Sequence, residues 1–449
     1  MTTTPVAAEA APPTLKRSLR YWDLIVYGLA YIAPIAPLST LGFVWSASNG
    51  LIALAYVLGG ICMYFTAKSY AVMSESLPIA GSVYGFARHA LGAFPGFVAG
   101  WMILLDYLLI PALVYVLIAV ALGTLVPGID RSVWIVLMVA FTLGVNWFGV
   151  TVTTRANFVA VGFQVVLLLG LLAFGVWALL HGKGSGQLTL RPFYESSHFK
   201  VAAIFTATSI CINSFLGFDA ISTLSEEVEG GDRRVVGRAI IAVLLISAAF
   251  FVLVSWILGN LMLGLKIHDP SAAAYELAAA SIGPWAAVVL AWGYATLIGL
   301  SNALPMQVGV ARILYAMGRD RQLPHVLARI HPRYHTPYVG MIVTAVISLT
   351  VAIAMRNMLD ELATIVNFGA LSGFLLLHVS VMAHFAVKLR SRQWFVHWVG
   401  PVFGIVVVLG VFSGMSGLAT RLGLSWLAVG VAYGLVLHLK HRDELSASL

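Results

Sequence analysis

The chain has 449 residues, of which 60% are hydrophobic and 10% charged, with a mean hydropathy of +0.94. A soluble globular domain of this length has no means of burying so much apolar surface, so the composition excludes a water-soluble protein and specifies a polytopic membrane protein. The formal charge of +8 belongs with orientation and anionic lipid rather than with nucleic acid, because the basic residues lie between apolar runs.

Residues 1–20 are rich in Ala, Pro and Thr with a late basic cluster. They read as a disordered cytoplasmic tail without the apolar core of a signal peptide. Apolar runs of about 20 residues follow near 23–47, 50–73, 94–122, 132–150, 157–180, 201–224, 238–264, 284–308, 338–355, 361–387, 396–416 and 422–439. These twelve predicted spans make an all-α membrane protein. With the N-terminus inside, nineteen of the 26 basic residues fall in cytoplasmic segments. That asymmetry sets both termini on the cytoplasmic side.

The first span is interrupted by Ala33-Pro34-Ile35-Ala36-Pro37-Leu38-Ser39, and the sixth by Ser214-Phe215-Leu216-Gly217-Phe218-Asp219-Ala220. Proline removes a backbone donor, and an aspartate at membrane depth costs about 2.5–3.5 kcal/mol on insertion scales. Lipid repairs neither defect, so unwound backbone at that depth must line a protein-enclosed cavity. Each break opens one half of the chain. The pattern predicts a five-plus-five inverted repeat over 21–181 and 200–390, with two helices appended at 395–440, inside one transporter domain spanning 21–440. Residues 441–449 read as a second cytoplasmic tail.

Between spans two and three, residues 75–92 read as a short re-entrant or interfacial turn. Segment 311–335 is basic and amphipathic and reads as an interfacial helix. Cys62 and Cys211 fall in apolar spans and read as small packing residues, with spacing for neither a metal nor a disulfide. No metal or cofactor is expected.

Of 18 acidic residues, Asp106 and Asp219 alone cannot be assigned to loops, tails or span ends, and no Lys or Arg falls deep within a span. Each carboxylate has two readings: it binds a substrate amine or carries a coupling proton, or it is a protonated or water-bridged carboxyl joining helices. Around the first break, Tyr31 and Ser39 supply hydroxyls, and the prolines free carbonyls that favour ammonium donors. Tyr107, Tyr115, Phe215, Phe218, Trp292 and Tyr294 add aromatic faces for an ammonium or an aliphatic chain, with Phe215 and Phe218 flanking the break. The set Tyr31, Ala33, Pro34, Ile35, Ser39, Asp106, Tyr107, Phe215, Phe218, Asp219 and Trp292 is therefore the expected binding site. Asp219 and Asp106 are the expected proton carriers. Glu226 and Glu227 followed by Arg233 form either a solvated charge network or an inner gate.

Three stretches resemble the amino acid-polyamine-organocation (APC) superfamily. Gly217-Phe218-Asp219-Ala220 with the following Glu226-Glu227 pair resembles its sixth span, Ala311 to Pro324 its cytoplasmic R-x-x-Y-A-M-x-R-D…LP segment, and Pro78 to Tyr84 its P-x-A-G-x-x-Y turn. Within the superfamily, Leu105-Asp106-Tyr107-Leu108, Arg191-Pro192-Phe193 and Asn367-Phe368-Gly369-Ala370-Leu371 look like the bacterial putrescine importer branch. The resemblance implies a LeuT-type fold with discontinuous helices 1 and 6, alternating access, proton-coupled import and a bacterial inner-membrane location. It also implies roles for Tyr107 and for Glu226 or Glu227. The chain departs from the pattern in three places. It has APIAPLS where amino acid members carry a glycine-rich break, Ser39 where the putrescine branch carries an acid, and Gln164 near a position that is lysine in some proton-coupled members. The expectation is a small amine, most simply a polyamine, with an amino acid as the alternative substrate. A channel or receptor lacks support because the polar breaks form one central cluster. An enzyme lacks it because no spaced metal set or nucleophile–base pair lies inside the spans. Oligomeric state is left open.

Overall fold

The computed structural model describes residues 19–77, 82–148, 154–225, 228–229, 232, 234–319, 322–334 and 336–447. Among them the protein is helical. Eight helices are long and apolar enough to cross a membrane, or nine when the bent pair Tyr21–Ile32 and Pro37–Ala47 counts as one span; three shorter apolar helices accompany them. The protein is therefore a multi-pass membrane protein.

The first break separates α1 (Tyr21–Ile32) from α2 (Pro37–Ala47) with a bend of 54°. Pro34 and Pro37 supply no amide to the helical ladder, and Pro37 opens the new helix at its first position, where a missing donor costs nothing. Next come α3 (Ile52–Ser76), the amphipathic α4 (Ser82–Leu91) and α5 (Ala93–Leu125). At 33 residues α5 is roughly 50 Å long, and it packs against α4 and against six later helices, which makes it the axis of the molecule. Those partners include α6 (Arg131–Trp147); α7 (Thr154–Leu180) packs instead on α1.

The second break follows α8 (Val201–Cys211), which tightens into a 3-10 turn over Ile212–Phe215; Leu216 is extended, and a second 3-10 segment runs over Phe218–Leu224. Thereafter α9 (Arg234–Met262) packs along α3, and α10 (Ala273–Ser281) leads to α11 (Pro284–Ile298). A π turn at Gly299–Ala303 joins α11 to α12 (Leu304–Arg319). The chain finishes with α13 (Tyr338–Ala354), α14 (Leu359–Val381), α15 (Gly400–Ser413) and α16 (Gly417–Ala447).

Two local expectations change. Residues 82–91 form a regular helix rather than a turn, and the helical part of 311–335 begins earlier, at Leu304, as a continuation of α11. The π turn ends just before Pro305, and the amphipathic helix that reads as separate runs on without a gap from the span expected at 284–308. Cys62 and Cys211 are free and buried.

Candidate functional site

Both breaks depend on backbone conformations that a regular helix forbids. Ala33 adopts φ 59°, a left-handed conformation rare for a residue with a Cβ, and Gly217 adopts φ 121°. A Cβ on Gly217 would stand 2.8 Å from the Tyr31 ring and 3.1 Å from the Ile32 amide. The two breaks are thus pressed against each other, and glycine is what lets them meet.

Between them lies a cavity of about 50 Å³, lined by Tyr31, Ala33, Ser39, Asn213, Tyr294 and Asn302 and, on its apolar side, by Ile110, Leu113 and Leu117 of α5. Ser39 Oγ donates to the Ala36 carbonyl at 2.7 Å and lies within hydrogen-bonding reach of Tyr294. Asn302 donates to the Ala30 and Tyr31 carbonyls at 3.3 and 3.4 Å, so two of the carbonyls released at the end of α1 are already taken. The α2 helix and the 3-10 turn after α8 are stitched by a buried chain: Thr40 to Tyr56 at 3.1 Å and Tyr56 to Ser214 at 3.2 Å.

Asp106 lies on the same face of α5 as Ile110, Leu113 and Leu117, one turn nearer the helix start. It is buried, and its Oδ1 has no hydrogen-bond partner among the described residues. Pro111 lacks the amide that would have met the Tyr107 carbonyl, which leaves a second acceptor beside the carboxylate. Gly369 brings α14 against this point: a Cβ there would meet the Asp106 backbone nitrogen at 2.7 Å. The NFGAL and LDYL motifs therefore face each other.

Asp219 is also buried but differently placed. Its Oδ1 accepts the Gly217 amide at 3.2 Å, its carboxylate is within reach of the Tyr70 hydroxyl, and it stands at the start of the second 3-10 segment. It caps the break. Tyr31, Tyr70 and Tyr107 lie near enough to interact electrostatically with both carboxylates, and the carboxylates with each other. Among the described residues no Lys or Arg is buried, so this is a pair of acids in a tyrosine surround without a built-in cation.

Of the expected site residues, Tyr31, Ala33 and Ser39 line the cavity; Asp106, Tyr107 and Asp219 do not reach its wall but lie within electrostatic range of Tyr31. Pro34 and Ile35 are buried but do not reach the cavity wall. Phe215 turns toward Tyr56 and Phe251, and Phe218 toward Tyr70 and Phe374, as aromatic packing on either side of the break. Trp292 is 60% exposed on the outside of α11, so its placement in the binding site is corrected; Tyr294 and Ile298 carry that helix's inner face. Glu226, Glu227 and Arg233 lie outside the described residues. Beside them, Arg20 pairs with Glu229 at 2.7 Å, Arg234 with Glu75 at 2.9 Å, and Leu19 forms a parallel bridge with Val228. The Glu229 contact holds the Arg20 guanidinium above its ordinary range.

Tyr70, Asn213, Asn302 and Tyr56 escape sequence reasoning as site residues. A signal existed for Tyr70: Thr66, Tyr70 and Ser74 recur at four-residue spacing inside an apolar run, a polar stripe that must face protein rather than lipid. Gln164 is fully buried, and neither its side-chain oxygen nor its nitrogen has a partner among the described residues.

Comparison with known proteins agrees with this architecture. The family model for amino acid permeases matches residues 23–416. The low-affinity putrescine importer PlaP of Escherichia coli K12 is 32% identical over 426 residues, 93% of each chain. The branched-chain amino acid permease BcaP of Bacillus subtilis is 28% identical across 86% of this chain and 84% of its own. A methylthioribose transporter of the same organism is 25% identical across 97% and 96%. With broken helices, a cavity between them and these similarities in hand, the chain belongs to the amino acid permease family of the APC superfamily, a transporter and not an enzyme.

Proposed function

We propose that this protein is a secondary-active importer of a small organic amine, with a polyamine such as putrescine as the leading substrate, driven by protons. The observation that carries the reading is the pair Asp106 and Asp219, buried among tyrosines with no buried Lys or Arg among the described residues. In a low-dielectric interior two such acids demand positive charge, which an ammonium or a proton supplies. Asp106 is the substrate's partner because its Oδ1 has no partner among the described residues and Pro111 supplies no amide to the Tyr107 carbonyl, while Asp219 holds the break in shape and exchanges the proton. The apolar wall of Ile110, Leu113 and Leu117 suits the methylene chain.

A cavity of 50 Å³ has room for about three or four waters, so the two halves part to admit substrate, which is alternating access. Eight long helices, one bent pair and three shorter apolar helices support a twelve-span, LeuT-type five-plus-five inverted repeat. Both termini face the cytoplasm of a bacterial inner membrane, by the basic-residue asymmetry and the relationship to a bacterial importer.

The second reading, an amino acid–proton symporter or exchanger, has its own support in the similarity to the branched-chain permease. Uptake into proteoliposomes under an imposed pH gradient separates the two. Labelled putrescine is expected to accumulate and to resist competition from amino acids. Accumulation of a labelled amino acid, with putrescine inert, overturns the amine reading.

A further inference from the structure

Away from the central site, two cavities adjoin at one edge of the membrane. The larger, about 510 Å³, lies where α2 ends and α3 begins, walled by Trp45, Asn49, Arg191, Glu195, His198 and Lys200. The smaller, about 250 Å³, runs down the molecule between α3 and the start of α8, lined by Leu54, Leu58, Ile61, Phe199, Ile204 and Phe205, and it has no polar lining. Their continuity follows from local chain geometry. Lys200 is extended (φ −137°, ψ 120°), so neighbouring side chains alternate: Phe199 and Val201 face the groove while His198 and Lys200 face the mouth. On α3, Leu51 borders the mouth and Leu54 the groove, one turn apart, and Ile61 lies roughly 15 Å deeper than Leu51.

We propose that this composite site binds a phospholipid with an anionic headgroup, phosphatidylglycerol in class, with its phosphodiester in the mouth and one acyl chain along the groove. Charge selects the headgroup. The mouth carries Arg191 and Lys200, with the His198 imidazole beside them, against one carboxylate, Glu195, which is held by Arg191 at 2.8 Å and faces His198 Nδ1 at 3.8 Å. Lys200 is left for a phosphate, and Trp45 supplies an indole at the headgroup level. The same charges argue against a vestibule for the transported amine, which they would repel. The groove argues against a soluble anion, because its wholly apolar wall opens sideways toward lipid, with Phe199 41% and Ile61 45% exposed. The bound lipid would bridge α2 and α8, the outer half of the first broken span and the first half of the second, so it braces both helices beside the central cavity.

The test is retention of lipid by the full-length protein, read by native mass spectrometry after equilibration with dioleoylphosphatidylglycerol or dioleoylphosphatidylcholine. Wild type is expected to keep one phosphatidylglycerol and to release phosphatidylcholine. The double variant H198Q/K200Q is expected to weaken phosphatidylglycerol binding about fivefold or more. Leu58→Trp, which fills the groove without touching charge, is expected to weaken phosphatidylglycerol binding, and millimolar glycerol 3-phosphate is expected not to displace that lipid from wild type. Equal retention of the two lipids by wild type, unchanged retention by both variants, or displacement by glycerol 3-phosphate overturns the proposal. A melting temperature within a few degrees of wild type establishes that each variant is folded before its retention is read.

Discussion

At the scale of single residues, the two carboxylates make a measurable distinction. Asp106 has an oxygen without a partner among the described residues, whereas Asp219 is engaged by the Gly217 amide and Tyr70. Asp106→Asn removes the charge that an ammonium needs and is expected to cut uptake at least tenfold while raising the apparent KM, with thermal stability unchanged or improved, since a lone buried charge is removed. Asp219→Asn keeps an oxygen for the Gly217 amide, so it is expected to preserve substrate binding and to flatten the dependence of uptake on the pH gradient. Binding lost equally in both variants would count against dividing the roles. Gly217→Ala is expected to abolish transport, because the added methyl meets Tyr31 at 2.8 Å in a left-handed region. Ala33→Gly relieves a strained backbone and is expected to raise the melting temperature; a lower one would show that the Ala33 methyl packs better than its φ costs. Asp106 and Asp219 were legible in the sequence because charge inside a span is scarce. Trp292 was misplaced because aromatic identity was read without helical phase: two residues before Tyr294 on a 3.6-residue turn lies on nearly the opposite face.

Between elements, hydrogen bonds decide how the broken spans move together. The Tyr56 hydroxyl joins Thr40 on α2 to Ser214 beyond α8, so α3 ties the two breaks together. Tyr56→Phe leaves the ring in place against Phe215 and Phe251 and strands two buried hydroxyls, a loss of about 1–3 kcal/mol. Uptake is expected to fall several-fold with KM changed more than the melting temperature, and unaltered kinetics would reduce the chain to packing. A second link is Asp269, which caps a short turn before α10 and pairs with Arg131 at the start of α6. Burial opposes its ionisation, but hydrogen bonds from Ser271 and the Arg131 charge outweigh that and hold the carboxyl below its usual range. A depressed folded pKa stabilises the protein above the unfolded value near 3.9 and loses that benefit as pH falls through the folded value. Asp269→Asn is therefore expected to lower the melting temperature at pH 6, and the gap should narrow as pH falls below the unfolded value of about 3.9. A gap independent of pH would mean the charge is irrelevant. The breaks themselves were readable from proline, glycine and aspartate at membrane depth. The π turn inside the span expected at 284–308, and the continuation of that helix to Arg319, were not, because neither leaves a hydrophobic signature.

For the molecule as a whole, the question is what keeps the two halves closed at the end where α1 begins. There the Arg20–Glu229 pair and the Leu19–Val228 bridge tie the start of the first broken span to the segment after the second, and Arg234–Glu75 ties α9 to the end of α3. The Arg20 and Glu229 side chains are 77% and 52% exposed, so the pair adds little to folding stability. A transporter poised between two nearly equal states responds to small differences all the same. Arg20→Gln breaks the pair and, by shifting that balance about two- to fivefold, is expected to expose the cavity to the side on which α1 begins. Because Cys62 and Cys211 are buried, a cysteine introduced at Ser39 reports cavity access against a quiet background. In inside-out vesicles its alkylation is expected to quicken by that factor in the Arg20→Gln background, and high salt should quicken it in the parent but not in the variant. Equal rates at every salt concentration would leave the pair as a solvated surface contact, and closure would then rest on the packing of α1 against α7 and α9.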